Sequence, residues 1–312
     1  MNVYLGLGQV PALPSTIVTS GSFDGVHQGH QTILERLVSI QQGAPDCQTL
    51  VITFDPHPRQ VLQPDKPLVL LSTLPEKIER LRLAGINHLL VLPFTKAFAR
   101  TRSEEFIEDI LIRCLRTQHL VIGYDHRFGH NREGSFAYLQ AHAERYPFLI
   151  EEIPRQTIDA VGVSSTRIRE ALRQGDPETA QRYLGYPYTL TGRVVKGQQI
   201  GRQIGFPTAN LAVDDPHKLV PADGIYAVEL THQQNRYQGM LSIGLRPTIG
   251  NDLKRTIEVN IFDFQEDIYG QSLTLHFIAY LRREEKYADL SALKAQLYRD
   301  RLAALTALST KK

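Results

Sequence analysis

No apolar run in the sequence approaches the roughly 20 residues a membrane-spanning helix requires. Met1–Ser20 lacks the basic start of a secretory signal. Membrane insertion is therefore not expected, and a cytoplasmic location is the default. Cysteine is scarce: Cys47 and Cys114 stand alone, which excludes a disulfide framework and a CxxC-type metal site. Both are expected as buried structural thiols. An excess of one charge is also missing. Lys and Arg number 35 against 33 Asp and Glu, for a net charge of +2 without a dense basic block, so charge gives nucleic acid binding no support. The 11 histidines show no metal-ligand spacing, and there is no repeat or low-complexity tract. What remains is ordinary globular composition, with 42% hydrophobic and 22% charged residues. At 312 residues the chain exceeds one typical domain of roughly 100–200 residues, so two domains are expected.

Two patterns of periodicity divide the chain. In the first half, short apolar strands over 15–20, 49–54, 88–93, 118–123 and 148–153 alternate with helical stretches over 30–41, 75–84, 103–114 and 133–144. Ser103 is the N-cap candidate of the third helix, with acids in its first turn. This alternation predicts βαβ units and a parallel sheet. After Gly185-Tyr186-Pro187 strands dominate, over 188–196, 224–230, 237–243, 255–262 and 271–281, with strict alternation in Ile257–Ile261 and Leu273–Phe277. They predict a small antiparallel barrel, closed by a helix over 287–308. The expected domains are 1–185 and 186–312.

The chemistry-bearing segments fall where such folds bind ligands. The first strand runs into Gly21-Ser22-Phe23-Asp24-Gly25-Val26-His27-Gln28-Gly29-His30 and then a helix. Glycines let the backbone turn and approach a ligand, and a helix N-terminus offers free N–H groups to an anion. His27 and His30 can donate hydrogen bonds to phosphate oxygens, and Gly29 leaves room between them. Ser164-Ser165-Thr166-Arg167-Ile168-Arg169 brings hydroxyl caps and then arginines, the natural clamp for a transferring phosphate. Asp55-Pro56-His57-Pro58 and Asp125 each follow a strand, outside the carboxyl edge of the sheet. In the second half Gly201–Asn210 gathers Gly205, Pro207, Thr208 and Asn210 in a loop able to cradle phosphates. The Thr208 hydroxyl can also reach a Mg2+ ion.

Together GSFDGVHQGH, TFDPHP and SSTRIR resemble the adenylyltransferase module of the bacterial bifunctional riboflavin kinase/FAD synthetases, within the HxGH nucleotidylyltransferase superfamily. GRQIGFPTAN, PADGIY, SIGLRPT and LRREEKY resemble the riboflavin kinase module of the same family, in the same order. The resemblance spans nearly the whole chain. It implies an N-terminal Rossmann-like nucleotidylyltransferase domain and a C-terminal kinase-like barrel. It implies ATP as co-substrate, with riboflavin, FMN and FAD as substrates and products. Gly21, Ser22, Phe23, Asp24, Gly29, Ser164, Ser165 and Thr166 would then bind ATP, with His27, His30 and Arg169 acting on its phosphates. Thr208 and Asn210 would hold Mg2+ and phosphate on the Gly205–Pro207 loop, and Glu258 maps onto the catalytic base. Asp55, Pro56, His57, Pro58 and Asp125 would lie toward the flavin, and Arg283 could reach it or serve in a surface salt bridge. Asp125 stands where the family commonly has Asn, and Asn260 where many relatives have His.

Chemistry supports a base in the second half. Riboflavin attacks with a neutral hydroxyl whose proton must leave, whereas FMN phosphate is already an anion and needs alignment. Phe262, Tyr280 and Tyr287 could stack on a flavin, although strand aromatics usually belong to a core. Two other readings stay open: an HxGH adenylyltransferase for another acceptor, and a non-catalytic flavin- or RNA-binding protein. The expected partners are small molecules, neither nucleic acid nor membrane, and the sequence leaves room for a weak homo-oligomer.

Overall fold

The computed structural model describes residues 1–154, 162–197, 201, 204–247 and 253–310. Arg202, Gln203 and Thr248 of the motifs above lie outside the described residues. Contacts divide the chain into two compact units, Met1–Ser165 and Thr166–Lys312.

The first unit is built on a six-stranded sheet. Its strands are β1 (Asn2–Leu5), β2 (Ser15–Ser20), β3 (Cys47–Asp55), β4 (His88–Pro93), β5 (Thr117–Gly123) and β6 (Leu149–Ile153). Every pairing is parallel, in the order β1-β4-β3-β2-β5-β6. Alternate side chains feed two apolar layers. Ile17, Val51, Leu89, Val91 and Val121 face Leu34 and Leu37 of helix α1 (Gln28–Gly43) and Leu81 of α3 (Leu74–Leu83). Val18, Leu50, Ile52, Leu90 and Leu120 face the other way, onto Phe106, Ile107, Ile110 and Leu111. Both faces are thus covered, which is why these strands read as continuous apolar runs.

The order reverses at β2. From there the chain moves through β3 to β4 on one side, then returns to β5 on the other. Open α/β sheets bind ligands at such a reversal, beyond the carboxyl ends of the strands.

Three local expectations are corrected. Ser103 is not a cap but the first residue of α4 (Ser103–Glu105), and its N–H donates to Glu133 Oε1 at 3.2 Å, so the neighbouring loop caps this end. The helix then continues as a π-helix over Phe106–Cys114. Cys47 and Cys114 are free and half-buried at the edges of the two layers, rather than buried within them. The helix expected over 133–144 shortens to α5 (Phe136–Ala141), capped by Ser135. Helix α2 (Pro58–Leu62) and the edge strand β1 carry too few residues to show a period of their own.

The second unit opens with α6 (Ser165–Arg173), which begins on the last residue of the first unit, and α7 (Pro177–Leu184). Next come β7 (Tyr188–Val195), β8 (Ala209–Ala212), β9 (Gly224–His232), β10 (Asn235–Pro247), β11 (Leu253–Ile261) and β12 (Ser272–Arg282). They form a closed antiparallel barrel in the order β10-β11-β8-β7-β12-β9. Closure removes sheet edges. The terminal helix α8 (Leu290–Ser309) is capped by Asp289 and packs Ala304 and Leu308 against Phe206, Phe262 and Ile278. Phe262 therefore belongs to the core beneath this helix.

A fork of two hydrogen bonds ties α8 to the barrel: Arg282 Nε and Nη2 donate to Asp300 Oδ1 and Oδ2 at 2.8 and 2.6 Å. Asp300 is buried and also accepts from Gln296 Nε2 at 2.8 Å, so removing Arg282 leaves its charge with an amide in place of a paired cation. Arg282→Ala is expected to cost about 3–5 kcal/mol in urea denaturation followed by the barrel's circular dichroism. A loss below about 1 kcal/mol would mean that water reaches Asp300.

Candidate active sites

In the first unit the turn from β2 into α1 is held in unusual backbone. Phe23 and Val26 adopt positive φ (47° and 38°) and both are buried, so packing pins a conformation that side chains rarely choose. Asp24 fixes the loop from below. Its Oδ1 accepts from the N–H groups of Leu71 and Ser72 at 2.9 and 3.1 Å, and Ser72 Oγ accepts from Gly25 N–H at 3.0 Å. Ser165 Oγ donates to the Asp24 carbonyl at 3.1 Å. The Gly21 N–H donates to the Ile52 carbonyl, the Ser22 carbonyl accepts from Thr53 Oγ1 at 3.2 Å, and Gly29 is buried in the first turn of α1. Asp24 and Phe23 thus shape the loop from inside, rather than present themselves at its surface.

His27 is the N-cap of α1, and its imidazole stacks on that of His30 with ring centres 3.7 Å apart. The Phe23 ring lies 5.1 Å from the His30 ring, tilted by 55°. Among the described residues, His30 Nδ1 is buried without a hydrogen-bond partner. Burial, then His27, then Lys77 hold the His30 imidazole well below its ordinary pKa, so it is neutral at pH 7.

Lys77, absent from the sequence expectations, is buried on α3 and donates from Nζ to Thr53 Oγ1 at 3.3 Å. Burial lowers its pKa, against the opposing pull of Asp24 and Asp55. The signal lay in the helical spacing: Leu74, Lys77 and Leu81 share one stripe, and a lysine in an apolar stripe calls for partners.

Across the switch point Ser20 Oγ and His126 Nε2 lie 3.0 Å apart, joining the ends of β2 and β5. Burial pushes the His126 pKa down to about 4, so the contact is made by a neutral ring. Its neighbour Asp125 is exposed. At the end of β3, Asp55 and Pro56 are exposed, while His57 caps α2 by accepting from Arg59 N–H at 3.1 Å beside Pro58. On α6, Thr166 is exposed and Arg169 is buried; Ser164 is half-buried just before the helix.

In the second unit the Gly201–Asn210 segment and β11 meet. Glu258 stands opposite Asn210 in the β11–β8 register, and Thr208 Oγ1 donates to Glu258 Oε2 at 3.4 Å. The alternation of β11 sends Ile257, Val259 and Ile261 inward; Glu258, Asn260 and Phe262 face out. Phe262 is covered by α8, and Asn260 is covered by the loop, where its Nδ2 donates to the Pro207 carbonyl at 2.7 Å. Glu258 is the half-buried member of that row. Gly205 supplies a positive φ of 82° in the loop, and the Gly201 carbonyl accepts from Phe206 N–H at 2.8 Å. A Cβ at Gly197 would run into the Asn210 amide. Arg283 is exposed, whereas its neighbour Arg282 makes the structural bond to Asp300. Tyr280 packs edge-on against Tyr226, and Tyr287 lies under the Arg282 guanidinium.

Comparison with known proteins decides the family. The FAD synthetase family matches residues 10–167, and the riboflavin kinase family matches residues 184–308. A bifunctional riboflavin kinase/FMN adenylyltransferase of Pseudomonas fluorescens is 37% identical, covering 92% of this chain and 91% of its own. That of Escherichia coli K12 is 36% identical, with 96% and 94% covered. The chain belongs to the bifunctional riboflavin kinase/FMN adenylyltransferase family. The family's Haemophilus influenzae member is 38% identical, with 92% of each chain covered. A solved Streptococcus pneumoniae structure described as a macrolide-efflux protein matches with a TM-score of 0.85 and 29% identity, covering 97% of each chain. Among the described residues of this chain no helix is long and apolar enough to cross a membrane.

Proposed function

We propose that the chain phosphorylates riboflavin to FMN with ATP and then joins FMN to AMP from a second ATP, giving FAD and pyrophosphate. The functional boundary falls near residue 185, beside the start of the riboflavin kinase match at 184. The observation that carries the reading is the meeting of Thr208, Asn210 and Glu258 on the outer wall of the barrel, in a chain whose other unit carries the stacked His27–His30 pair.

In the first reaction Glu258 takes the proton of the riboflavin 5′-hydroxyl. The oxygen bonds to the γ-phosphorus, the bridging P–O bond to the β-phosphate breaks, and ADP leaves. Thr208 and Asn210 offer hydroxyl and amide oxygens, the hard donors that suit Mg2+, which leaves the Glu258 carboxylate for the proton. Among the described residues no three His, Cys, Asp or Glu side chains form a cage. Such a site suits an ion completed by water and substrate phosphates, which supplies charge neutralisation when bound.

In the second reaction an FMN phosphate oxygen bonds to the α-phosphorus of ATP, and the bond to the β-phosphate bridging oxygen breaks. Pyrophosphate leaves with that electron pair. His27, His30 and the loop N–H groups stabilise its charge, and no covalent enzyme intermediate is needed. Ser164, Ser165, Thr166 and Arg169 are assigned to ATP by their match to the family segment. Asp55, Pro56, His57, Pro58, Asp125 and Arg283 are assigned to the flavin on the same ground. Asp24 serves by holding the loop.

Asn260 Nδ2 donates to the Pro207 carbonyl at 2.7 Å, so its amide anchors the phosphate loop. Asn260→Ala is expected to raise KM for ATP in riboflavin phosphorylation about tenfold, the worth of one buried hydrogen bond of about 1.4 kcal/mol. An unchanged KM would release the loop from this anchor.

The reading is tested with purified protein, riboflavin, ATP and Mg2+, separating flavins by chromatography. FMN appearing first and FAD later is the expected result. No conversion, with riboflavin or with supplied FMN, would overturn it.

A further inference from the structure

The first unit holds a buried cation that no step above uses. Lys77 lies on the inward face of α3, one turn before the fully buried Leu81. A lysine is rarely left in such a place unless its charge is answered. Two carboxylates answer it, Asp24 from the phosphate loop and Asp55 from the end of β3. Its hydrogen bonding also leads to the loop: Nζ donates to Thr53 Oγ1 at 3.3 Å, and Thr53 Oγ1 donates to the Ser22 carbonyl at 3.2 Å. Lys77 thus reaches the Gly21–Gly25 turn through Thr53 and the Ser22 carbonyl, while Asp24 and Asp55 favour its charge through space. Asp24 in turn binds the backbone of Leu71 and Ser72, just ahead of α3.

We propose that Lys77 is a positioning residue for adenylyl transfer, fixing the phosphate loop through Thr53 and placing a basic group beside the His27–His30 pair. This rests on the reading of the first unit as an FMN adenylyltransferase.

The physical argument turns on what the histidines must do. A neutral imidazole buried beside a fixed cation donates to a phosphate oxygen without first acquiring a proton. The cation also favours the negative charge that grows on departing pyrophosphate. Facing His30 are His27 from the helix cap, the Phe23 ring from the loop and Lys77 from α3. Burial and both neighbouring basic groups oppose its protonation. Removing the ammonium takes away one of these three, so the His30 titration is expected to move up. A lysine that only filled space would leave that titration where it was.

The test compares Lys77→Met, Lys77→Gln and Lys77→Arg with the unaltered full chain. Steady-state FAD formation from supplied FMN and ATP is measured, with histidine titration followed by NMR. Riboflavin phosphorylation by the same preparations reports that each chain is folded. Met and Gln are expected to lower kcat/KM for FAD formation at least about tenfold and to raise the pH at which His30 titrates; Arg is expected to restore much of both. FAD formation unchanged in a folded Lys77→Met chain would overturn the proposal. So would an activity loss with an unmoved His30 titration, which would make Lys77 a packing residue. If the unaltered chain forms no FAD from FMN, the functional reading itself fails, an outcome distinct from a defect confined to the variants.

Discussion

Glu258→Ala loses FMN formation by about 10²–10⁴-fold, the usual worth of a positioned general base, and keeps FAD formation from supplied FMN. The reaction in the barrel begins from an alcohol, which attacks poorly while it holds its proton. The reaction in the first unit begins from a phosphate anion and has no such need. Structure makes the test clean. Glu258 faces outward on β11 while Ile257, Val259 and Ile261 carry the packing, so truncation opens no cavity in the core. A half-buried outward site of this kind is expected to cost within about 1 kcal/mol of stability. Glu258→Gln sharpens the result, because an amide keeps the shape and can still accept from Thr208 at 3.4 Å in the native geometry, yet cannot serve as base. Equal losses in both variants, read as FMN released from riboflavin, support proton transfer. A Gln variant as active as the unaltered chain would reduce Glu258 to a structural partner of Thr208.

The His27→Ala/His30→Ala pair is expected to show the opposite loss. FAD formation falls by at least about 10³-fold, since a single transition-state donor is worth about 10²–10³, while riboflavin phosphorylation continues. The two rings stack at 3.7 Å and act as a unit, so the single losses should not sum to the double loss. One complication can be separated. His27 is also the N-cap of α1, and His30 N–H donates to its Nδ1 at 3.4 Å. A lost cap costs about 1 kcal/mol, and Asn caps as well as any residue. His27→Asn should therefore hold thermal stability and still lose FAD formation. Unchanged FAD formation in the double variant would remove the phosphate role from this loop.

The two halves and their chemistry were legible in the sequence for a physical reason. Parallel strands buried on both faces write themselves as short apolar runs, and barrel strands with one wet face alternate, as Ile257–Ile261 does. Glycines, hydroxyls and a following helix or turn come at close spacing in both proposed phosphate loops, so both appeared as local strings. Even the family could be read, because its motifs are contiguous. The strand β8 (Ala209–Ala212) was hidden where the Gly201–Asn210 loop ends, since four residues have no period to show.

What only the tertiary structure decided are contacts between segments far apart in the chain. Ser20 meets His126 across 106 positions, Asn260 meets Pro207 across 53, and Lys77 meets Thr53 across 24. Local spacing could mark Lys77 as an oddity on an apolar stripe. It could not say which groups answer its charge, because burial and proximity are set by what packs on the helix, not by the helix. Asp24 carries the same lesson: the sequence placed it in a phosphate loop, and the fold turned its carboxylate inward to hold that loop still.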